Sequence, residues 1–192
     1  MNKKNIQTAS TKILLIAAVI FILIGVFFIF LTNKKVNEKR QPKIWIETFK
    51  NPIDPSTQPE EHKAVYEKIQ KIVSFPLKYP ERLPEGYKLV KVESNSGDGR
   101  YDMGSGVLIY KEDGKEIRIV EGTGDLGNIT FYMKEIETPA KHKVWLAENK
   151  KGEKIITLDI NCEKICYVII GNKAVTNHEI LTTADYLFKL SK

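Results

Sequence analysis

Cys162 and Cys166 are the only two cysteines of the chain, and three residues separate them between two apolar runs. If those runs form a β-hairpin, the cysteines flank its turn and face each other at disulfide distance. An oxidising exterior would permit the bond, so we favour a disulfide over two free thiols. A metal site ranks third, because it needs two or more further ligands and only His178 is near in sequence.

Two glycine-rich stretches have the letters of ligand-binding loops. Residues 122–127 read GTGDLG, which matches the GxGxxG of dinucleotide-binding turns, but a strand-like run follows at 128–133 where that mechanism needs a helix start. Residues 95–102 resemble a calcium loop without its spacing of oxygens or its closing glutamate. We therefore interpret both as loops, with no cofactor and no metal ion predicted.

The three histidines, His62, His142 and His178, have no neighbouring nucleophile or metal ligand in sequence, so we expect all three to be solvated. The carboxylates are scattered at charge-paired surface spacing, and no acid–base pair can be named. We predict no catalytic residue and no enzymatic activity.

A long apolar run near the N-terminus indicates how the chain is anchored. Residues 13–31, ILLIAAVIFILIGVFFIFL, contain no charge, amide or hydroxyl. A helix of that length is about 28 Å long, which matches the hydrocarbon core of a bilayer. Its bulky end lacks a small-x-small cleavage site, so we predict a retained signal-anchor that crosses the membrane once.

The domain boundaries follow from this span. We predict a cytoplasmic tail at 1–12, the transmembrane helix at 13–31, a tether at 32–58 and an extracytoplasmic domain at 59–192. The short lysine-bearing tail and the long following domain favour this orientation. The net charge of +6 comes from residues beside the membrane, including Lys34, Lys35 and Lys39, so the domain is near neutral and a nucleic-acid partner is not expected.

The periodicity of the domain changes once, from helical to alternating. A helix is predicted after a capping box at 57–60, and a second capping box at 176–179 begins a closing helix. The connector 75–87 has a proline at every fourth position, and its last turn, Pro84, Gly86 and Tyr87, is predicted to set the register of the first strand. Strands are expected at 87–93, 107–111, 116–121, 129–137, 144–148, 155–161 and 165–170.

These features resemble a known family. The runs FPLKYP at 75–80 and LPEGY at 83–87, the alternating strands and the closing EILTTADYL at 179–187 resemble the domain-of-unknown-function family 4367 of Gram-positive envelope proteins. The same order is more distantly similar to the C-terminal domain of MucB/RseB-type regulators, which act on membrane anti-sigma factors. The resemblance covers about residues 60–192 and implies a fold, and it gives no catalytic residue to transfer.

The sequence thus predicts an α+β domain in which an N-terminal and a C-terminal helix flank an antiparallel, curved sheet of about six to seven strands. Its expected function is non-enzymatic binding or sensing in the bacterial cell envelope, through an envelope protein partner. The alternative is a carrier that binds a lipid or another hydrophobic ligand on the concave face of the sheet.

Overall fold

The computed structural model describes residues 44–80, 82–97, 104–122, 132–159 and 165–188. Every described residue belongs to the second of two units of the chain, Met1–Arg40 and Gln41–Lys192. That unit is an eight-stranded antiparallel sheet with two helices, which confirms the predicted α+β class. The strands are β1 (Ile44–Ile53), β2 (Lys88–Asn95), β3 (Ser105–Glu112), β4 (Lys115–Gly122), β5 (Lys134–Glu137), β6 (Lys143–Glu148), β7 (Lys154–Thr157) and β8 (Cys166–Gly171). The helices are α1 (Pro59–Gln70) and α2 (Asn177–Phe188).

The strand order is β1-β2-β3-β4-β8-β7-β6-β5. Two meanders, β1 to β4 and β5 to β7, are each built from neighbours in sequence, and β8 lies between them, paired with β4 on one side and β7 on the other. Tight turns connect the hairpins where the sequence predicts them. Asp113 and Gly114 both have positive φ between β3 and β4, as a type I′ turn requires.

One strand lies where no strand was predicted. Residues 44–53 fall within the segment expected to be a tether, yet they form β1 and pair with β2 from Ile44 opposite Asn95 to Ile53 opposite Leu89. The sheet therefore has eight strands instead of six to seven, and the folded unit starts before residue 59. The composition of 44–58, with Lys50, Asn51 and two prolines after a single apolar run at 44–46, concealed the strand.

The core lies between one face of the sheet and both helices. Leu108, Ile119, Ile169 and Ile156 pair directly across four adjacent strands, and all four are fully buried. Each such side chain contributes roughly 1.5–3 kcal/mol by leaving water. The helices contribute Val65 and Ile69 from α1, and Ile180, Ala184 and Leu187 from α2 to the same cluster.

The two predicted capping boxes have different outcomes. At α2 the prediction is confirmed, because the Glu179 N–H donates to the Thr176 hydroxyl at 3.2 Å and the Glu179 carboxylate accepts the Thr176 N–H at 2.7 Å. At α1 it is wrong, since Gln58 is the N-cap and no side chain caps the helix. Pro59 fixes the first helical residue there, so Thr57 lies one position too early to cap.

No helix in the described ranges is long and apolar enough to cross a membrane. The predicted span at 13–31 lies outside the described residues, as do the tail and the first part of the tether.

Candidate functional site

Two adjoining pockets open beside the first turn of α1. They have volumes of about 610 and 490 Å³, and Pro55, Ser56 and Arg82 line both. The first is also lined by Glu60, Lys63, His62 and Tyr79, so charged, aromatic and proline side chains alternate around it. The lining of both pockets is mixed and polar, and neither is an apolar groove.

The predicted turn forms a wall of the second pocket, which Pro84, Gly86 and Tyr87 line together. The Tyr87 N–H donates to the Pro84 carbonyl at 3.4 Å, and Gly86 has a φ of +91°. A Cβ at Gly86 would lie 2.8 Å from the Cδ of Glu112, so both the backbone conformation and the available space call for glycine. Whether this turn sets the register of β2 stays a prediction.

His62 lines the first pocket and also contacts the buried Tyr110. It was expected to be solvated, but it is only 1% exposed, so that prediction is wrong. His62 lies on the same face of α1 as Val65, Tyr66 and Ile69, at helical spacings of three, four and seven residues. That spacing is a sequence signal that would have placed it inward. Its Nε2 is 2.7 Å from the Tyr110 hydroxyl, and burial lowers the pKa of His62 to about 4. The imidazole is therefore neutral at pH 7.

An aromatic cluster surrounds His62. Its ring lies 5.4 Å from that of Tyr66, 6.4 Å from Tyr79 and 5.8 Å from Tyr110, measured between centroids. The rings of Tyr66 and Tyr79 approach to 4.3 Å. Burial raises the pKa of both Tyr66 and Tyr110 well above the ordinary value, so these phenols keep their protons. The pocket wall and the buried cluster share His62 and Tyr79.

The connector at 75–80, here called the strap, covers the buried part of β4 around Glu121. Its backbone is held by side chains, since it forms no ladder with a strand. Gln70 donates from Nε2 to the Phe75 carbonyl at 2.8 Å and accepts the Leu77 N–H at 3.0 Å. The Tyr167 hydroxyl donates to the Pro76 carbonyl at 3.0 Å.

Glu121 lies under the strap on β4 and is fully buried. Its Oε2 accepts the Lys78 N–H at 2.6 Å, while its Oε1 has no partner among the described residues. The Lys78 ammonium lies 4.6 Å from the Tyr167 ring centroid. Burial raises the pKa of Glu121 to about 8, although the hydrogen bond and the positive charge of Lys78 partly oppose this. Glu121 is thus mostly protonated at pH 7, and its sequence position on a strand of alternating polarity gave no sign of this.

A second buried acid, Asp185, lies on α2. Its Oδ1 accepts the Thr138 hydroxyl and is 2.9 Å from Nδ1 of His142, and its Oδ2 accepts the Ala140 N–H at 2.9 Å. The His142 ring stacks on Phe188 at 4.6 Å. His142 was also expected to be solvated without partners, and this pairing corrects that expectation. His178 alone is exposed as predicted.

One of the two cysteines of the predicted disulfide lies within the described residues. Cys166 is buried on β8 and is not a free thiol. Cys162 lies outside the described residues, so the bond between the two stays a prediction. The GxGxxG stretch beyond Gly122 and most of the calcium-like loop also lie outside them. Within the described ranges no three histidine, cysteine or carboxylate side chains are grouped to hold a metal ion.

No family model matches the chain, and no curated protein or solved structure matches it either. The resemblance to family 4367 and to the MucB/RseB domain therefore stays a prediction based on residues 75–87 and 179–187.

Proposed function

We propose that this chain is a non-enzymatic binding or sensing domain of a bacterial cell envelope. A single membrane span anchors the domain outside the cytoplasm. Its ligand occupies the pocket beside His62. The apolar run at 13–31 supports the anchoring. The observation that supports binding is that one pocket shares its wall with a buried cluster of titratable groups, a combination that is concentrated at functional sites.

The same geometry argues against catalysis in this pocket. The Nε2 of His62 is engaged by Tyr110, and Glu121 is sealed under the strap. Neither group reaches the pocket as a free base or acid. A ligand that displaces Tyr79 or His62 would instead disturb the cluster behind them, which is how a sensing domain transmits occupancy.

The chemistry of the lining favours a polar ligand. Lys63 and Arg82 supply positive charge, Glu60 supplies negative charge, and Pro55 and Pro59 supply rigid apolar surface. A polar segment of an envelope protein fits this mixture better than a lipid chain does.

A photoreactive residue placed at Lys63 of the full chain in its native membrane tests the proposal. We expect a cross-link to one envelope protein, and we expect Arg82→Glu to abolish it. The matched control is the same photoreactive residue at Lys150, an exposed position in the turn between β6 and β7. Identical products from Lys63 and Lys150, or products insensitive to Arg82→Glu, would refute the pocket as the binding site.

The orientation is tested separately. Protease added to intact protoplasts should digest the domain from residue 44 onward and leave a small membrane-bound fragment. Full protection of the domain would place it on the other side of the membrane.

The alternative, a carrier of a hydrophobic ligand, has one supporting observation. A second apolar cluster, with Ile155, Cys166 and Val168 at its centre, lies on the sheet face turned away from the helices, and Val120 and Ile170 pack against it. Saturable binding of a fluorescent fatty acid that Val120→Glu abolishes and Lys63→Glu leaves unchanged would favour the carrier.

A further inference from the structure

The two edges of the sheet are built differently. The β5 edge is four residues long, and its Lys134, Glu135 and Glu137 are exposed. Short, charged edges of this kind prevent pairing with other chains. The β1 edge is ten residues long, and its Ile44 and Ile46 are 67% and 56% exposed. Among the described strands β1 pairs only with β2. The β1 edge is therefore open to another strand.

The features that normally prevent an edge strand from pairing with another chain are absent from only part of β1. The ladder with β2 is regular from Ile44 to Thr48 and then becomes irregular before Ile53, in a segment that contains Pro52. A proline at an edge bulge blocks pairing there. Within 44–48 the one charged residue, Glu47, lies 3.7 Å from Lys68 of α1, on the helix side of the sheet. The regular half of the edge thus presents unprotected backbone.

The exposed isoleucines are not required by the core. Trp45 and Phe49 point to the helix side and pack against the main hydrophobic cluster. Ile44, Ile46 and Thr48 alternate with them and lie on the opposite face. A solvent-facing edge position is normally polar, so two isoleucines there indicate a surface that becomes covered.

The residues of β1 complement a second copy of β1. In an antiparallel pair centred on Ile46, Ile46 faces Ile46 of the other copy, Ile44 faces Thr48, and Trp45 faces Glu47. Every pair combines residues that suit a strand, and no like charges meet. Moving the centre to Glu47 would set two carboxylates opposite each other, and Ile46 is the midpoint of the regular ladder from Ile44 to Thr48, so we favour the first register.

The length of chain before β1 permits this arrangement. Twelve residues, 32–43, separate the predicted span from Ile44. Extended, they reach about 40 Å, whereas the two starting points of the paired strands lie only about 14 Å apart. Anchoring in one membrane also holds every copy at the same height and raises the effective concentration of one edge near another.

We propose that β1 pairs with β1 of a second copy of this chain, antiparallel and centred on Ile46, so that two sheets join into one across a two-fold axis. The ligand pocket beside His62 is not part of this surface, so the pairing stands independently of the proposed binding function.

Disulfide trapping in the full chain, reconstituted in lipid vesicles, tests the register. Residues facing each other across the two-fold axis lie about 4.5–5.5 Å apart between Cα atoms, which a disulfide spans. Ile46→Cys should therefore form a covalent dimer at least about tenfold faster than Ile44→Cys, whose two copies lie about 14 Å apart. The double variant Ile44→Cys with Thr48→Cys should regain the fast rate.

Two controls make the result decisive. Glu135→Cys on the β5 edge reports collisions in the membrane, and the unmodified chain reports any contribution from Cys162 and Cys166. Adding Ile44→Lys to Ile46→Cys should slow trapping, because two lysines then flank the axis. Equal rates for Ile46→Cys, Ile44→Cys and Glu135→Cys would overturn the proposal, and so would trapping that is fastest at Ile44→Cys alone.

Discussion

Asp185 and Glu121 are both buried carboxylates on the helix-covered side of the sheet, but their oxygens have different partners. Asp185 accepts from Thr138 and Ala140 and contacts His142, so both of its oxygens are engaged. Glu121 has one backbone N–H on one oxygen and none on the other among the described residues. An ionised acid is stable in the interior only when donors surround it.

The two acids therefore contribute differently to the stability of the fold. The Asp185 contacts bind the turn between β5 and β6 to α2, which is a structural role. Glu121 keeps its proton at pH 7 because burial raises its pKa to about 8, and an apolar residue in its place would avoid the desolvation penalty. A buried polar group that lowers stability is a candidate for a functional role, whereas one that raises stability is not.

Glu121 should make the folded state less stable as the pH becomes alkaline. Its pKa is about 8 in the folded chain against an ordinary value of 4.5. A raised pKa means that the folded state holds the proton more tightly, so the stability that Glu121 contributes is fully present below pH 4.5 and is lost as pH rises to about 8. The total loss is about 5 kcal/mol. Urea unfolding of fragment 41–192 and of its Glu121→Gln variant at pH 5 and pH 9 measures this loss as the change in the difference between the two, because His62 titrates equally in both.

Glu121→Gln removes the titrating group, so the variant should be more stable than the parent at pH 9 and should lack the decline in stability between pH 7 and pH 9. Glu67→Gln, an exposed position on α1, serves as the control and should change neither. If Glu121→Gln is destabilising at pH 9, Glu121 has the same kind of role as Asp185 and the comparison fails.

Asp185→Ala should destabilise at neutral pH. It leaves the Thr138 hydroxyl, the Ala140 N–H and the His142 ring without their acceptor, and we expect a loss of about 4 kcal/mol. Chemical denaturation of the same fragment at pH 7 measures it, with Glu148→Ala as the exposed control. A loss no larger than that of the control would show that the network around Asp185 does not stabilise the fold.

His62 should produce the opposite pH dependence from Glu121. Its pKa of about 4 lies below the ordinary 6.5, so the unfolded chain gains a proton first as pH falls. Stability is therefore fully present above pH 6.5 and is lost between about 6.5 and 4, by about 3 kcal/mol. His62→Phe should remove most of this decrease in the free energy of unfolding between pH 6.5 and 4. The loss of the Tyr110 contact changes stability by the same amount at every pH and does not affect this test. A His62 ring that NMR finds protonated at pH 6 would contradict the prediction.

Gly86→Val tests backbone strain and not charge, and its effect should be the smallest. The positive φ and the nearby Glu112 side chain both disfavour a β-branched residue, so we expect a loss of about 2 kcal/mol and a melting temperature lower by several degrees. Glu85→Val, exposed and adjacent, is the control. Equal shifts in both would mean that the turn does not organise this end of the sheet.

Local signals in the sequence predicted local structure well. The alternating runs located β2 to β8, Asp113 and Gly114 located a hairpin, and Thr176 with Glu179 located the start of α2, because each signal and its partner lie within a few residues. The signal for β1 was weak, since its partner β2 begins 35 residues after β1 ends, at Lys88.

The candidate site depends on contacts distant in sequence. Glu121 meets Lys78 from 43 residues away, His62 meets Tyr110 from 48, and Asp185 meets His142 from 43. No pattern within one segment encodes such pairs, and a single sequence carries no record of which residues come together. The inward position of His62 was readable from its spacing to Val65 and Ile69, but its partner was not.

The position of β8 has a consequence for how the chain is made. Because β8 lies between β4 and β7, the ribosome completes both meanders before the strand that joins them emerges. A nascent chain that ends before residue 166 holds two separate ladders, and the inner edges of β4 and β7 are both exposed. A premature stop before residue 166 therefore removes β8 from the middle of the sheet and leaves both outer strands in place. Such truncated chains should be cleared by proteases instead of accumulating as shortened domains.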